Sequence, residues 1–162
     1  MMERTLVLIK PEGVQRSLAG RILTRFEEAG LKIVGMKMVW VDRAFAEKHY
    51  TMDIEVRRGK EVRDRLLEYI VAGPVIAFCL EGVNAIENVR KIVGGTEPKS
   101  APPGTIRGDF AHVSFAYADA NKLAVKNLIH ASGDAKDAAH EVPLWFSEKE
   151  LHSYKTAQDF FM

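Results

Sequence analysis

TLVLIKPEG, residues 5–13, sets four aliphatic side chains in succession, ends them on Lys10 and follows them with Pro11-Glu12-Gly13. A short unbroken apolar run bounded by turn formers reads as a buried strand. Outward from it, Leu18, Ile22, Leu23 and Phe26 recur at helical spacing, and Gly30 stands where a left-handed helix end is wanted. LKIVGMKMVWV, residues 31–41, is a second strand, and Asp42 caps a helix over RAFAEKHY. KEVRDRLLEYIVA, residues 60–72, has the pattern of an amphipathic helix, and Gly73-Pro74 leads into the strand VIAFCLEG. Asn84 caps a helix that runs through Val93 to Gly94-Gly95, after which Pro98, Pro102 and Pro103 stiffen a loop leading to GTIRGDF. LIHA, residues 128–131, is the last strand, and DAKDAAHE, residues 134–141, the last clear helix before Pro143. Four short strands interleaved with helices make one sheet covered by helices, an α/β or α+β layer architecture whose strand order the pattern does not contain.

The chain has 162 residues, 47% of them hydrophobic and 28% charged, enough for a real core and right for one domain spanning 1–162. Its 23 basic and 22 acidic side chains nearly cancel, which argues against a broad electrostatic footprint for nucleic acid or an anionic membrane. Any anion it holds is therefore held by a local pocket. The single cysteine, Cys79, lies in the apolar run PVIAFCL, so no intramolecular disulfide can form and a reducing, cytoplasmic setting is expected. YIVAGPVIAFCL, the longest uncharged run, is too short to span a bilayer, and MMERTLVLIKPEG meets a charge and then a strand pattern, so neither insertion nor export is expected.

There is no GxxxxGK[ST], and no GxGxxG follows a strand, so phosphate would have to be gripped by side chains. The candidates are Lys10 at the end of the first strand, Arg90 before the proline loop, Thr96 after Gly94-Gly95, Arg107 in GTIRGDF, and Asn127. Each also has a plain structural reading: Lys10 snorkels at a strand end, Arg90 lies on a solvated helix face, Arg107 pairs with Asp109. In NLIHASGD, residues 127–134, His130 is either a nucleophile presented at a strand edge or a histidine satisfied in a core. Two guanidinium forks, an ammonium group and hydroxyl and amide donors are what clamps the oxygens of a transferring phosphoryl group.

Taken in order, IKPEGVQR (9–16), HY (49–50), AGPV (72–75), VRKIVGGTEP (89–98), PGTIRGDF (103–110), NLIHAS (127–132) and EVPLWF (141–146) resemble the nucleoside diphosphate kinase family. The likeness runs from Arg4 to about Tyr154, and PGTIRGDF together with N-x-x-H-x-S is highly specific. It implies a ferredoxin-like α/β fold with a four-stranded antiparallel sheet. It also implies ping-pong transfer of the γ-phosphoryl of ATP or another nucleoside triphosphate to a nucleoside diphosphate through a phosphohistidine at His130. A neutral imidazole suits the role, since one nitrogen keeps a lone pair while an acceptor on the other fixes the ring. By the resemblance Glu141 is the orienting carboxylate and Ser132 its supporting hydroxyl. Eleven residues separate His130 from Glu141, and that contact is expected to need a turn near Pro143. Lys10, Tyr50, Arg90, Thr96, Arg107 and Asn127 match the family's phosphate- and ribose-binding positions, with Lys10 bridging sugar hydroxyl and phosphate. The implied Mg2+ travels on the nucleotide phosphates, without a carboxylate cage. His49, His112, His140 and His152 have no metal-site spacing and are read as surface or partly buried structural residues. The resemblance further implies a homo-oligomer, a hexamer in preference to a tetramer or dimer, formed through the proline loop at 94–105.

Three features depart from the family pattern. Gly133 stands where an aspartate usually follows the serine, and Asp134 comes one place later, still able to cap a helix. Residues 51–65 are lengthened and lack the aromatic that stacks on the base, leaving Ile54, Val56 or Val62 to cover it. Residues 111–126 are also lengthened, and Phe115 or Tyr117 from them could lend the missing ring. Two rival readings compete: a silent nucleotide-binding paralogue, against which stand His130, Lys10 and Arg107, all present, and a nucleic-acid module, against which stands the balanced charge.

Overall fold

A computed structural model of the chain describes residues 1–161. In chain order its elements are β1 (Met2–Ile9), α1 (Pro11–Gln15), α2 (Ala19–Glu28), β2 (Lys32–Val39), α3 (Arg43–His49), α4 (Met52–Arg58), α5 (Lys60–Val71), β3 (Val75–Val83), α6 (Ala85–Val93), α7 (Ile106–Phe110), α8 (Phe115–Ala120), β4 (Ile129–Ala131) and α9 (Ala135–Trp145). The strands form one sheet in the order β2-β3-β1-β4, every neighbouring pair antiparallel, which is the ferredoxin-like arrangement.

The aliphatic run in β1 lacks polar alternation because both of its faces are covered. Val7 and Ile9 join Phe78 and Leu80 of β3 against Ile22 and Phe26 of α2 and Val89 of α6. Leu6 and Leu8 join Ala77 and Cys79 against Leu67 and Ile70 of α5 and Val142 and Trp145 of α9. Side chains alternate between faces along a strand, so two apolar layers follow from one uninterrupted run.

Several local expectations are met by visible chemistry. Asp42 accepts the Phe45 N–H at 2.8 Å and caps α3, and Gly30 takes φ +79° just after α2. Others change. Pro11 does more than stop the strand: it is the first residue of α1, where a missing N–H costs nothing. Residues 52–58 form α4, separated from α5 by Gly59 at φ +91°. Asn84 does occupy the N-cap position of α6, but in a left-handed conformation and without a side-chain cap bond. Its side-chain oxygen instead faces the amino group of Met1 at 3.4 Å. Helix α9 continues through Pro143 to Trp145. No helix among the described residues is long and apolar enough to cross a membrane.

The proline loop is locked to α7 by direct backbone approach. Thr105 caps α7 by accepting the Gly108 N–H at 3.1 Å, and a Cβ on Gly108 would run into the Pro102 carbonyl group and come within 2.8 Å of Ala101 O. Neither obstacle is a side chain that can swing aside. Gly108→Ala should therefore cost about 1–3 kcal/mol or more of unfolding free energy in urea titrations. Gly20→Ala, on α2 with nothing within 4 Å of the new methyl, should cost nothing.

Candidate active site

Strand β4 pairs with β1 so that His130 lies opposite Leu8. Alternation then puts His130 and Ser132 on the sheet face that α9 covers. The chain turns at Gly133-Asp134, Asp134 caps α9 by accepting the Asp137 N–H at 2.9 Å, and the helix runs back to bring Glu141 over the strand. His130 Nε2 lies 2.9 and 3.0 Å from the two Glu141 oxygens, and Ser132 Oγ donates to Glu141 Oε2 at 2.6 Å. Ser132 Oγ is itself held by the Leu6 N–H at 3.2 Å. The expected contact is present, but the turn that makes it precedes α9. No turn at Pro143 is involved, because a helix folded antiparallel to its strand returns what eleven residues of separation carried away.

Burial pushes the Glu141 carboxyl up, yet His130, His49 and the Ser132 hydroxyl together outweigh it and hold it below the ordinary carboxylate range. An ionised carboxylate can only accept hydrogen bonds, so the Nε2 it faces carries the proton. Nδ1 is left with the lone pair. The arrangement is a half-buried imidazole with one nitrogen fixed and the other free.

His49 was read from sequence as merely structural, yet it belongs to this network. It is 5% exposed, its ring centroid is 4.6 Å from that of His130 at 85° between planes, and its Nδ1 accepts the Trp145 indole N–H at 3.2 Å. The HY pair was the only signal in the sequence, and it carries no hint of burial. Ligand atoms of His49, His130 and Glu141 lie within 4.8 Å of one another; His130 and Ser132 engage Glu141 and Trp145 engages His49 Nδ1, while His49 Nε2 is buried without a partner.

On the other side of His130, Lys10 and Arg107 are buried and close enough to repel. Lys10 Nζ donates to Asn127 Oδ1 at 2.8 Å, and Asn127 Nδ2 donates to Thr96 O at 2.9 Å. Burial, and then the Arg107 charge, push the Lys10 ammonium down to about 7. Arg107 does not pair with Asp109, which binds Arg25 at 2.9 Å. Its guanidinium donates instead to three backbone carbonyls: Gly94 at 3.1 Å, Asn127 at 3.2 Å and Ile129 at 2.6 Å. Two of its five N–H groups remain for a ligand. Between Asn127 and Ile129, Leu128 sits at φ +70° in a tight turn closed by Ile129 N–H donating to Asn127 O at 2.8 Å, a strained conformation worth about 1–3 kcal/mol.

All six expected binding residues, Lys10, Tyr50, Arg90, Thr96, Arg107 and Asn127, line one cavity of about 250 Å³ with His130 and Glu141. The Tyr50 hydroxyl is buried there without a hydrogen-bond partner. The walls carry Lys10, Arg57, Arg58, Arg90 and Arg107 against Asp53, Asp137 and Glu141, so the excess charge is positive and suits an anion. Gly133 leaves room that Asp137 fills: a Cβ at 133 would lie 2.6 Å from Asp137 Oδ2. A carboxylate from one turn into α9 thus occupies the space beside the missing aspartate. Of the candidates for base cover, Ile54 lines this cavity, Val62 and Phe115 line an adjoining one, and Val56 and Tyr117 line neither.

Burial and the nearby His130 push the His49 imidazole down to about 3. In the unfolded chain it protonates near 6.5, so between 6.5 and about 3 the unfolded state binds the extra proton and stability falls as pH falls. His49 should contribute up to about 1.4 kcal/mol per pH unit to that slope. Urea unfolding at pH 6.5, 5.5 and 4.5 should give a shallower loss for His49→Phe than for the parent, and equal slopes would contradict a neutral buried ring.

Residues 3–151 match the family model described as nucleoside diphosphate kinase. The chain is 46% identical over 156 residues to a nucleoside diphosphate kinase of Borreliella burgdorferi, covering 96% of this chain and 93% of that one. It is 50% identical over 159 residues to the corresponding protein of Pyrococcus horikoshii, covering 98% and 94%. Among solved structures, a transition-state mimic of the Borrelia burgdorferi nucleoside-diphosphate kinase with bound vanadate and ADP superposes with a TM-score of 0.96 at 45% identity, covering 98% of this chain and 95% of that one. A halophilic nucleoside diphosphate kinase from Halobacterium salinarum in complex with CDP gives 0.85 at 37% identity, covering 99% and 98%. Likeness of this extent, joined to the histidine, carboxylate and cationic cavity described above, makes the chain a member of the nucleoside diphosphate kinase family.

Proposed function

We propose that this phosphotransferase works by ping-pong transfer, taking the γ-phosphoryl group of ATP or another nucleoside triphosphate onto His130 Nδ1 and passing it to a nucleoside diphosphate. The observation that carries the reading is the clamp of Glu141 on His130 Nε2, which leaves Nδ1 as the ring's nucleophile beside a cation-lined cavity. In the first half-reaction Nδ1 bonds to the γ-phosphorus as the bond from that phosphorus to the β–γ bridging oxygen breaks. The diphosphate leaves, and the second half-reaction runs the same step backwards with a new diphosphate. Glu141 stabilises the positive charge that develops on the ring while Nε2 keeps its proton, as an oriented carboxylate does for a catalytic histidine.

Lys10, Arg90 and the two remaining N–H groups of Arg107 hold the phosphate oxygens, and Thr96 and Asn127 add polar contacts. A phosphate beside Lys10 favours its charged form and so reverses the cost of burying it. The unpartnered Tyr50 hydroxyl gains an acceptor when phosphate arrives. The family's divalent cation, Mg2+ in this reading, neutralises nucleotide charge when bound. The wall fits that division of labour: Arg57 is engaged by Asp53 at 2.7 Å, Lys10, Arg58, Arg90 and Arg107 remain for the phosphates, and the Asp137 carboxylate would remain for the metal's hydration shell. ADP with vanadate in the Borrelia relative and CDP in the Halobacterium relative support nucleotides as the ligands here.

We also infer a homo-oligomer, with a hexamer preferred. Met36, Met38 and Trp40 are exposed along and just beyond β2, an edge strand whose outer side takes the His152 N–H at Val34 O but has no partner strand, and such an edge is normally covered.

Incubation with γ-labelled ATP should place an acid-labile, alkali-stable label on the protein, and His130→Ala should abolish both label and turnover. Label retained in that variant would sink the mechanism. Arg107→Ala should lower kcat/KM at least about tenfold, as loss of a charge-assisted hydrogen bond does, and should also lower Tm because three carbonyls lose their donor. Arg16→Ala, which removes an exposed pair with Glu12, should change neither.

A further inference from the structure

The Lys10 ammonium is buried, bonded to Asn127 Oδ1 and close to the Arg107 guanidinium. Burial and a neighbouring cation both favour loss of its proton. Two groups that are not on the cavity wall act the other way. Glu12, in the first turn of α1, lies two residues beyond Lys10, and its charge favours the protonated form. Tyr69, on α5 and 4% exposed, sets its ring centroid 5.3 Å from Lys10 Nζ, within the range of cation–π attraction.

The two groups are joined to each other. Tyr69 Oη donates to Glu12 Oε2 at 2.9 Å, across 57 residues of chain. Burial, and then the Glu12 charge, push the Tyr69 hydroxyl well up, so it stays a donor. Oε1 of the same carboxylate meets Arg16 at 3.2 Å, but the Arg16 side chain is 45% exposed, and water screens it more than it screens a buried ammonium. Lys126 also stands over the Tyr69 ring, at 3.8 Å, and its charge, like that of Arg107, opposes the effect on Lys10. Arg90, His49 and His130 share the cavity wall with Lys10. Of the wall's carboxylates, Asp53 is paired with Arg57, Glu141 is bonded to His130, and Asp137 lies beside Gly133. Glu12 is the carboxylate whose charge supports Lys10.

We propose that Glu12 and Tyr69 are positioning residues that keep Lys10 an ammonium ion: the Tyr69 hydroxyl holds the Glu12 carboxylate in place, and the Tyr69 ring receives the Lys10 charge. Neither touches the phosphate. The proposal rests on the phosphotransfer reading, in which Lys10 grips a phosphate oxygen, and adds what makes that grip ready before nucleotide arrives. Because Glu12 favours the protonated form, removing its charge lowers the pH at which Lys10 gives up its proton. Anion affinity then falls at a lower pH, since a neutral amine is a poorer phosphate ligand than an ammonium ion. A carboxylate that only repelled anions would act differently. Its loss would tighten binding by one factor across the neutral range.

Carbon NMR of the full chain, labelled at lysine Cε, tests this by direct titration, with the Lys10 signal identified by its loss in Lys10→Arg. Glu12→Gln should lower the Lys10 midpoint by about one pH unit, and Glu12→Asp, which keeps the charge, should restore most of it. Tyr69→Phe keeps the ring but frees the carboxylate and should lower the midpoint less than Glu12→Gln does. Tyr69→Leu, which loses the ring too, should lower it more than Tyr69→Phe. Glu61→Gln, which removes a surface carboxylate paired with Arg65, should leave it unchanged. Calorimetry with inorganic tripolyphosphate should give Glu12→Gln and parent similar affinities near about pH 5, and up to about tenfold weaker binding by the variant above about pH 8. A Lys10 midpoint unmoved in Glu12→Gln, or a variant-to-parent affinity ratio that does not change with pH, would overturn the proposal. Phosphohistidine labelling of the parent is read separately: its absence would overturn phosphotransfer while the Lys10 midpoints still decide what Glu12 and Tyr69 do.

Discussion

The grip of Arg107 on the carbonyls of Gly94, Asn127 and Ile129 is the interaction on which the rest of the site depends. It ties the end of α6 to the entry of β4 and straddles Leu128, the one buried residue of the site held at positive φ. The Leu128 turn costs energy on its own, and a single guanidinium bonded on both sides of it supplies the compensation. From that turn the side chains of Asn127 and His130 take their directions, and Lys10 N–H adds a further bond to Leu128 O at 2.8 Å. A residue read from sequence as a phosphate donor is thus first a structural clamp, with only part of its donor capacity left for ligand.

The same region concentrates polar groups that a core would ordinarily exclude. Lys10, His49, Asn127, Ser132 and Glu141 are all buried, His49 edge-on to the rings of Tyr50 and Trp145. Each survives because a partner is supplied or a charge is given up: Glu141 takes hydrogen bonds from His130 and Ser132, His49 stays neutral, and Lys10 has its charge weakened. Dry surroundings of this kind strengthen every electrostatic contact made with an incoming anion, and they fix the groups before it arrives. Two groups of the network, the Tyr50 hydroxyl and His49 Nε2, are buried without a hydrogen-bond partner.

Much of this was legible in the residues. The aliphatic run of β1, the caps at Asp42 and Asp134, and the helices around Phe26 and Val89 follow from local pattern, since each depends on neighbours a few residues away. The ordered fragments from Lys10 to Glu141 carried the family, and with it the members of the cavity. What local pattern misplaced was contact between distant residues. His49 and Trp145 are 96 residues apart and nothing in either segment announces that they meet. The partner of Arg107 was misread for the same reason: Asp109 is near in sequence, but the short helix α7 turns the two side chains to different neighbours, one inward to carbonyls and one outward to Arg25.

The sequence by itself determined which groups are present: a histidine with a strand on one side and a cap on the other, cations without a glycine-rich phosphate loop, and enough apolar periodicity to build one covered sheet. Only the tertiary structure decided how they act. The antiparallel return of α9 along the sheet chose which imidazole nitrogen is fixed, because it sets a buried carboxylate against Nε2. The packing of α8 toward α5 chose which aromatic lines the adjoining cavity, Phe115 and not Tyr117. Residue types and short-range spacing fix chemistry and local conformation, whereas orientation and protonation follow from groups brought together across the chain, and those follow from burial of the whole core.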